Sequence, residues 1–186
     1  MKKNHLAILF LGMALVFSGC SSSEKQKEAT NDNGNGGEMA QSKGDEPTFA
    51  VADIDGRTHT YDEFKGKSPV VLNFWGTWCP PCRAELPDLK KIYAEYFPKG
   101  IAFVGLAVRD TPGMVRDFAA KNEMGWLMLV ANQEALISFN VTLGIPTTIF
   151  IDRNGQEQGR LIGASSYDQF KAEMAKILFE VPHFAY

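Results

Sequence analysis

The most constraining feature of this chain is an apolar strand that leads directly into a helix carrying two cysteines. From Val70 to Trp75 the residues are almost all apolar, which is typical of a strand covered on both faces. After a short Gly-Thr-Trp segment comes Cys79-Pro-Pro-Cys82, and apolar residues then recur every three or four positions, predicting a helix over about 80–97. A helix N-terminus presents unpaired N–H groups and partial positive charge, which favour an anion. We therefore predict two cysteines in the first turn of a helix at the end of a buried strand.

The chain from residue 47 to residue 186 predicts one α/β domain. Its length of about 140 residues is enough for a proper hydrophobic core. Strands that alternate with helices, followed by an antiparallel pair and a last helix, predict a mixed central sheet with helices on both faces. Besides the strand and helix above, the pattern predicts a β-hairpin (49–61), a strand (101–108), a helix (112–122), a strand (127–130), a helix (133–139), a second hairpin (147–151 and 158–163) and a helix (167–179).

The first residues follow the order of a secretory signal. Lys2 and Lys3 carry positive charge, an uncharged apolar run of about 12 residues spans 6–17, and small residues precede Cys20. That run is shorter than the ~20 residues a membrane-spanning helix needs. Phe17-Ser-Gly-Cys20 resembles the bacterial lipobox, which implies cleavage after residue 19 and lipidation of Cys20. The alternative is an ordinary signal peptide with a stray cysteine, but bulky Phe17 fits such a cleavage site poorly.

The segment that follows predicts a tether. From 21 to 46 the chain is rich in Ser, Asn, Gly, Gln, Lys and Glu, so it has too little apolar surface to fold. The predicted organisation is a signal peptide at 1–19, lipidated Cys20 with a disordered tether at 20–46, and the folded domain at 47–186. This places the domain outside the cytoplasm, lipid-anchored to the membrane and facing the periplasm or the cell exterior.

Charge and cysteine content exclude several classes of protein. The formal net charge is −3 and no cluster of Lys and Arg is present, so we expect no nucleic-acid partner. With Cys20 lipidated, only two cysteines remain, in an exported protein where disulfides persist. A structural zinc site would need four ligands, and His59 and His183 are far away in sequence. A purely structural disulfide would close too small a loop to gain much. The prediction is a redox-active disulfide, with no other cofactor and no metal.

Placement on the helix predicts different roles for the two cysteines. Cys79, at or just before the first turn, is expected to be the exposed sulfur that forms a thiolate most readily. Cys82, one turn further, is expected to be more buried and to act second. Cys79 would attack a substrate disulfide, and Cys82 would resolve the mixed disulfide in a fast intramolecular step.

Two segments of the chain resemble a known family. The segment 70–87, VVLNFWGTWCPPCRAELP, resembles the active-site segment of the TlpA/ResA-like thiol-disulfide oxidoreductases of the thioredoxin superfamily. The segment 144–152, GIPTTIFID, resembles the cis-proline loop of that superfamily. The resemblance covers the whole domain. It implies a thioredoxin-like fold with a mixed central sheet flanked by helices, an N-terminal β-hairpin and an inserted helix–strand unit over about 112–130.

The resemblance also implies where substrate binds. It implies a cis bond between Ile145 and Pro146 and a role for Pro146 in holding substrate polypeptide against the nucleophile. Trp78 is expected to cover the active site and to offer apolar contact to substrate. The predicted substrate-binding residues are Trp78, Pro80, Pro81, Ile145 and Pro146.

Glu85 is the predicted proton carrier and third catalytic residue, beside Cys79 and Cys82. It lies three positions after Cys82, on the same helix face one turn along. A carboxylate there could exchange a proton with Cys82 as the disulfide opens and closes. Many thioredoxins use a buried aspartate on the preceding strand, where this chain has Asn73, which cannot titrate; the resembling family has glutamate at the position of Glu85. The alternative is a solvated glutamate paired with Arg or Lys.

The helix start also suggests the direction of the reaction. Pro80 and Pro81 have no N–H to donate, so a thiolate at Cys79 loses two hydrogen bonds, a loss that the charge of Arg83 offsets in part. A less stable Cys79 thiolate makes the reduced form of the pair less favourable, so the pair gives up its electrons more readily. This predicts a reductant rather than a strong oxidant. The resemblance implies protein disulfides as substrates, apocytochrome c among them, and a membrane thiol-transfer protein as electron donor.

Two other functions on the same fold stay open at this point. A thiol peroxidase usually has Thr three residues before its reactive cysteine, whereas Gly76 stands there in this chain. A copper-delivery protein would have CxxxC and a well-placed histidine, and neither is visible in the sequence. Peroxide consumption or tight copper binding would favour these alternatives.

Overall fold

A computed structural model describes residues 47–178 of the chain. The predicted signal peptide, Cys20 and the predicted tether lie outside the described residues, as does the segment 179–186. Within the described part, no helix is long and apolar enough to span a membrane.

The described residues form the predicted elements, and each end agrees with the prediction within one residue. In chain order they are β1 (Ala50–Ala52), β2 (Thr58–Thr60), β3 (Val70–Trp75), α1 (Pro80–Tyr96), β4 (Ala102–Ala107), α2 (Pro112–Lys121), β5 (Leu127–Val130), α3 (Gln133–Ser138), β6 (Thr147–Ile151), β7 (Glu157–Ile162) and α4 (Tyr167–Leu178).

The central sheet has the strand order β5-β4-β3-β6-β7. Strand β3 is parallel to β4 and antiparallel to β6, while β4 is parallel to β5 and β6 antiparallel to β7. The prediction of a mixed sheet is therefore confirmed, and the strand that leads to the cysteines is its middle strand. The β1–β2 hairpin forms a separate two-stranded sheet that lies against β5.

Alternation along β3 assigns its side chains to the two faces of the sheet. Val70, Leu72 and Phe74 belong to a core formed with the hairpin and α3. Val71 and Trp75 belong to the opposite core, which α1, α2 and α4 cover. Asn73 lies between Val71 and Trp75 in the alternation, so a polar side chain points from the middle strand toward α1.

A network of charged groups fixes the turn of the hairpin. The buried carboxylate of Asp53 accepts hydrogen bonds from the backbone N–H groups of Asp55 and Arg57 and from the Arg57 and His59 side chains. Burial alone would raise the pKa of Asp53, but these hydrogen bonds hold it well below its usual range. Each ring nitrogen of His59 faces a carboxylate, Nδ1 at 2.9 Å from Glu63 and Nε2 at 3.1 Å from Asp53. The hydrogen bond with Glu63 raises the pKa of His59 most, and the hydrogen bond with Asp53 raises it further.

His59 should make the stability of the fold depend on pH. A neutral imidazole can donate through one nitrogen only, whereas the protonated ring donates to both carboxylates. Because the folded pKa lies above the ordinary 6.5, this stabilisation is complete below pH 6.5 and is lost as pH rises through the folded pKa. We expect His59→Gln to lower the melting temperature by several degrees at pH 5.5 and by clearly less at pH 8.5. Thermal unfolding of both proteins at the two pH values measures this, and a pH-independent difference would contradict it.

Candidate active site

The two cysteines lie at the start of α1 and form a disulfide, with their Cα atoms 5.3 Å apart. Cys79 is the N-cap residue, and Pro80 and Pro81 fill the first two helical positions, where a missing N–H costs no helix hydrogen bond. The first N–H that the helix offers is that of Cys82, which lies 3.3 Å from the Cys79 sulfur. The helix start thus gives Cys79 one backbone donor in place of the two that the prolines remove.

The prediction that Cys79 is the exposed sulfur is wrong for this disulfide form. Cys79 is 2% exposed and Cys82 is 5% exposed, so both are buried. The reason is packing from a distant segment, because the Cys79 sulfur lies 3.8 Å from the carbonyl oxygen of Ile145. The two cysteines still differ in access, since Cys79 lines a surface groove and Cys82 does not.

Trp78 is held by a hydrogen bond to Val108, the residue that follows β4. Its indole N–H donates to the carbonyl of Val108 at 3.0 Å, while 48% of the residue remains exposed. A Cβ on Gly76 would lie 2.9 Å from the Trp78 Nε1 and 3.2 Å from the Ile145 Cδ1. A threonine at position 76, as thiol peroxidases have, would therefore displace Trp78 or Ile145.

Asp110 is a site residue that the sequence did not point out. Its carboxylate accepts from the Thr77 backbone N–H at 2.8 Å and from the Thr77 hydroxyl at 2.6 Å. These two bonds tie the segment before Cys79 to the loop after β4. A signal for this existed, because β3 and β4 are parallel and the residues that follow their carboxyl ends meet at one edge of the sheet.

Glu85 is buried next to the sheet on the same face of α1 as Cys82. It is 3% exposed, and both cysteine and glutamate belong to the buried stripe of the helix. Oε1 accepts from the Asn73 side chain at 3.2 Å and Oε2 from the Ser165 backbone N–H at 3.1 Å. Burial is the largest influence and raises the pKa of Glu85 to about 7, against the two hydrogen bonds that lower it. A solvated glutamate paired with Arg or Lys, the alternative from sequence, is wrong.

Asn73 connects Glu85 to the strand that follows the proline loop. It is buried, it stands opposite Thr148 in the β3–β6 register, and its side-chain amide donates to Thr148 Oγ1 at 2.9 Å as well as to Glu85. The position that holds a titrating aspartate in many thioredoxins is therefore a fixed donor here. The buried carboxylate comes instead from the helix, as Glu85.

The Ile145–Pro146 peptide bond is cis, as the resemblance implied. Gly144 has a φ of 110°, a region that favours glycine, and its carbonyl accepts from the Thr147 hydroxyl at 2.7 Å. This loop presents Ile145 to the disulfide, whereas Pro146 itself is buried.

A groove of about 540 Å³ opens beside Cys79. Of the predicted substrate-binding residues, Trp78, Pro80, Pro81 and Ile145 line it, and Pro146 does not. Residues from the segment after β4, from α3 and from the loops around α3 complete the lining, and the local sequence holds no signal for them because only the fold brings them to the site. They are Val108, Arg109, Ala131, Asn132, Gln133, Leu136, Val141, Thr142 and Gly144. Over 47–178, no group of three or more His, Cys, Asp and Glu is placed to hold a metal ion.

Comparisons with known proteins agree with this geometry. The model of the AhpC/TSA family matches residues 44–157. The thiol-disulfide oxidoreductase ResA of a Bacillus cereus strain is 30% identical over 131 residues, which cover 70% of this chain and 75% of ResA. A thiol:disulfide interchange protein of Chlorobium tepidum TLS is 30% identical with a TM-score of 0.63, over 72% of this chain and 94% of that one. A secreted disulfide oxidoreductase of Mycobacterium tuberculosis is 27% identical with a TM-score of 0.61, over 68% and 94% of the two chains.

Proposed function

Because the chain belongs to the AhpC/TSA family and is a thiol-disulfide oxidoreductase of the ResA type with a thioredoxin-like fold, we propose that it reduces disulfides of exported proteins. The observation that carries the proposal is that Glu85 is buried on the helix of the disulfide, on the same face as Cys82. Its pKa of about 7 lets it take up and return a proton near neutral pH. Dithiol chemistry needs such a group each time the buried Cys82 changes between thiol and thiolate.

The reaction proceeds in two exchange steps. The Cys79 thiolate attacks one sulfur of the substrate disulfide, a bond forms between these two sulfurs, and the second substrate sulfur leaves as a thiolate. Cys82 then passes its proton to Glu85 and attacks the Cys79 sulfur, which releases the first substrate sulfur and forms the Cys79–Cys82 disulfide. Two electrons pass from the protein to the substrate. An external dithiol, which we propose to be a membrane thiol-transfer protein, returns the pair to the reduced form.

The groove beside Cys79 supports a polypeptide as substrate. Trp78, Pro80, Pro81 and Ile145 line the groove together with Cys79 and supply apolar surface there. We propose that these residues, with Pro146 behind them, receive the polypeptide that carries the substrate disulfide. Apocytochrome c, whose haem-binding cysteines must be reduced, is the substrate that we propose from the family resemblance.

We further propose that the domain works outside the cytoplasm, held to the membrane by lipid on Cys20. The signal-like residues 1–19 and the lipobox-like Phe17-Ser-Gly-Cys20 support this location. The related disulfide oxidoreductase of Mycobacterium tuberculosis is a secreted protein, which agrees with an exported domain. Mass spectrometry of the membrane-bound protein would test the lipid on Cys20, and an unmodified Cys20 would contradict it.

Catalysed reduction of a protein disulfide is the direct test of the proposed function. With dithiothreitol as the regenerating dithiol, the purified protein should accelerate reduction of insulin and of an oxidised peptide carrying the haem-binding CxxCH motif. The same preparation should not accelerate oxidation of the reduced peptide under an oxidising glutathione buffer. Catalysis in the oxidising direction only, or consumption of hydrogen peroxide faster than disulfide reduction, would contradict the proposal.

A further inference from the structure

The groove beside Cys79 is lined by uncharged residues except at one position. Among the described residues that line it, Arg109 alone carries a formal charge. The others are apolar side chains, a glycine, a threonine, two amides and the disulfide cysteine itself. A single cation in the groove that Cys79 lines is therefore the one formal charge that an incoming polypeptide meets among these lining residues.

The guanidinium of Arg109 is not neutralised by the protein. No ion pair or hydrogen bond of its side chain occurs within residues 47–178, and the residue is exposed. The nearest carboxylate in sequence, Asp110, is occupied by the backbone N–H and the hydroxyl of Thr77. Arg109 thus remains available to pair with a group from outside.

The backbone holds Arg109 in an unusual conformation at the edge of the groove. Its φ is 56°, in the left-handed region that residues other than Gly, Asn and Asp rarely adopt. The residue before it, Val108, is fixed by a backbone bond to Trp75 and by the bond its carbonyl accepts from Trp78. Such a conformation persists where the surroundings enforce it, and it is concentrated at functional sites.

We propose that Arg109 is a specificity-determining residue that selects disulfide substrates with an acidic side chain next to the attacked cysteine. The inference rests on the proposed reductase function and refines its substrate class. An Asp or Glu of the substrate would pair with the Arg109 guanidinium while the neighbouring sulfur meets Cys79 from the same groove. A hydrogen bond between a guanidinium and a carboxylate is stronger than one between neutral groups, so we expect selection at this position.

A second cation near the site provides a control. Arg83 follows Cys82 on α1, and it lines the depressions between α1 and α2 rather than the groove that Cys79 lines. If nearby positive charge in general attracted substrate, Arg83 would contribute as much as Arg109. If the groove that Cys79 lines selects substrates by charge, replacing Arg109 should change the substrate preference and replacing Arg83 should not.

The test uses three synthetic peptides with one internal disulfide, identical except for Glu, Gln or Lys next to the first cysteine. Rates of reduction by the purified protein, with dithiothreitol as reductant, are divided by the uncatalysed dithiothreitol rate for the same peptide. We expect kcat/KM for the Glu peptide to exceed that for the Lys peptide about tenfold at low ionic strength, and less at high salt. Arg109→Gln and Arg109→Gly should bring this ratio close to one, Arg109→Glu should invert it, and Arg83→Gln should leave it unchanged.

The outcomes separate the inference from the function on which it rests. A ratio near one in the unaltered protein, or an undiminished ratio in Arg109→Gln, overturns the inference while leaving the reductase intact. Loss of the ratio in Arg83→Gln but not in Arg109→Gln also overturns it. Failure to reduce any of the three peptides overturns the reductase proposal and the inference together. Arg109→Gly is the second variant in case Arg109→Gln misfolds. Glycine is favoured at a positive φ, so this variant should keep or raise the melting temperature.

Discussion

Replacing Cys79 by serine should abolish disulfide exchange, whereas replacing Cys82 by serine should stop the reaction halfway. Cys79 lines the groove and Cys82 does not, so a substrate disulfide can reach only the first sulfur. Loss of a nucleophile costs several orders of magnitude in rate, and we expect a decrease on the order of 10⁴-fold or more for Cys79→Ser. Cys82→Ser should still attack, and it should accumulate a mixed disulfide between Cys79 and the substrate.

The measurement is insulin reduction for the rate and intact-protein mass spectrometry for the trapped adduct. Both cysteines are buried in the core that α1 shares with the sheet, so thermal unfolding must show that each serine variant is folded. The double variant Cys79→Ser/Cys82→Ser serves as the blank for both readings. An adduct that forms on Cys82 in the Cys79→Ser protein would reverse the assigned order of attack.

Replacing Glu85 by glutamine should slow the second exchange step about 10²- to 10³-fold, the usual scale for losing a general base. The pKa of Glu85 is about 7, so in the unaltered protein this step should accelerate as pH rises through 7 and the carboxylate becomes available. The amide of Gln cannot accept the proton, so in the variant the rate of the second exchange step should no longer rise as pH passes through 7. Stopped-flow tryptophan fluorescence from pH 5 to pH 9 should resolve this.

The same substitution should raise stability at alkaline pH, which a purely destabilising change would not do. A folded pKa of about 7 against an ordinary 4.5 means that stability is lost as pH rises from 4.5 through 7, because the folded protein holds the proton more tightly. The loss is on the order of 3 kcal/mol for this buried carboxyl. Glu85→Gln should therefore gain stability relative to the unaltered protein between pH 4.5 and pH 8 in urea unfolding.

Glu123→Gln is the matched control for both readings. Glu123 has an 86% exposed side chain, which within residues 47–178 pairs with Lys90 alone. Its replacement should change neither the pH profile nor the pH dependence of unfolding, since exposed pairs contribute little. If the rate of the second exchange step still rises near pH 7 in Glu85→Gln, the proton carrier is another group.

The secondary structure was predictable because each element has a simple local cause. Val70–Trp75 is apolar without interruption, and a strand with that pattern has to be covered on both faces, as β3 is. Thr111 and Pro112 start α2 with a capping side chain and a first-turn proline, both visible in the sequence. The position of Glu85 on the helix face of Cys82 followed from a spacing of three residues, which does not depend on tertiary structure.

The parts that could not be predicted depend on packing between distant segments. Burial of Cys79 results from Ile145, 66 residues later. The resemblance placed the loop of Ile145 and Pro146 at the nucleophile, but the prediction of an exposed sulfur considered only the position of Cys79 at the helix start. The residues of α3 that line the groove could not be predicted for the same reason, because only the packing of distant segments brings them next to Cys79. The environment of Glu85 has the same cause, because the Asn73 side chain and the backbone N–H of Ser165, 80 residues away, reach Glu85 only in the folded chain.

The reduction potential of the Cys79–Cys82 pair tests the central claim most directly. The purified protein would be equilibrated at pH 7 with dithiothreitol or glutathione redox buffers. The fraction of oxidised protein would be measured by tryptophan fluorescence, because Trp78 lines the same groove as Cys79 and should report the state of the disulfide. The account predicts a potential near that of thioredoxin, about −270 mV, as a reductant outside the cytoplasm requires. A potential near about −120 mV, that of a strong oxidant, would mean that the pair forms disulfides in its substrates and would contradict the proposed direction.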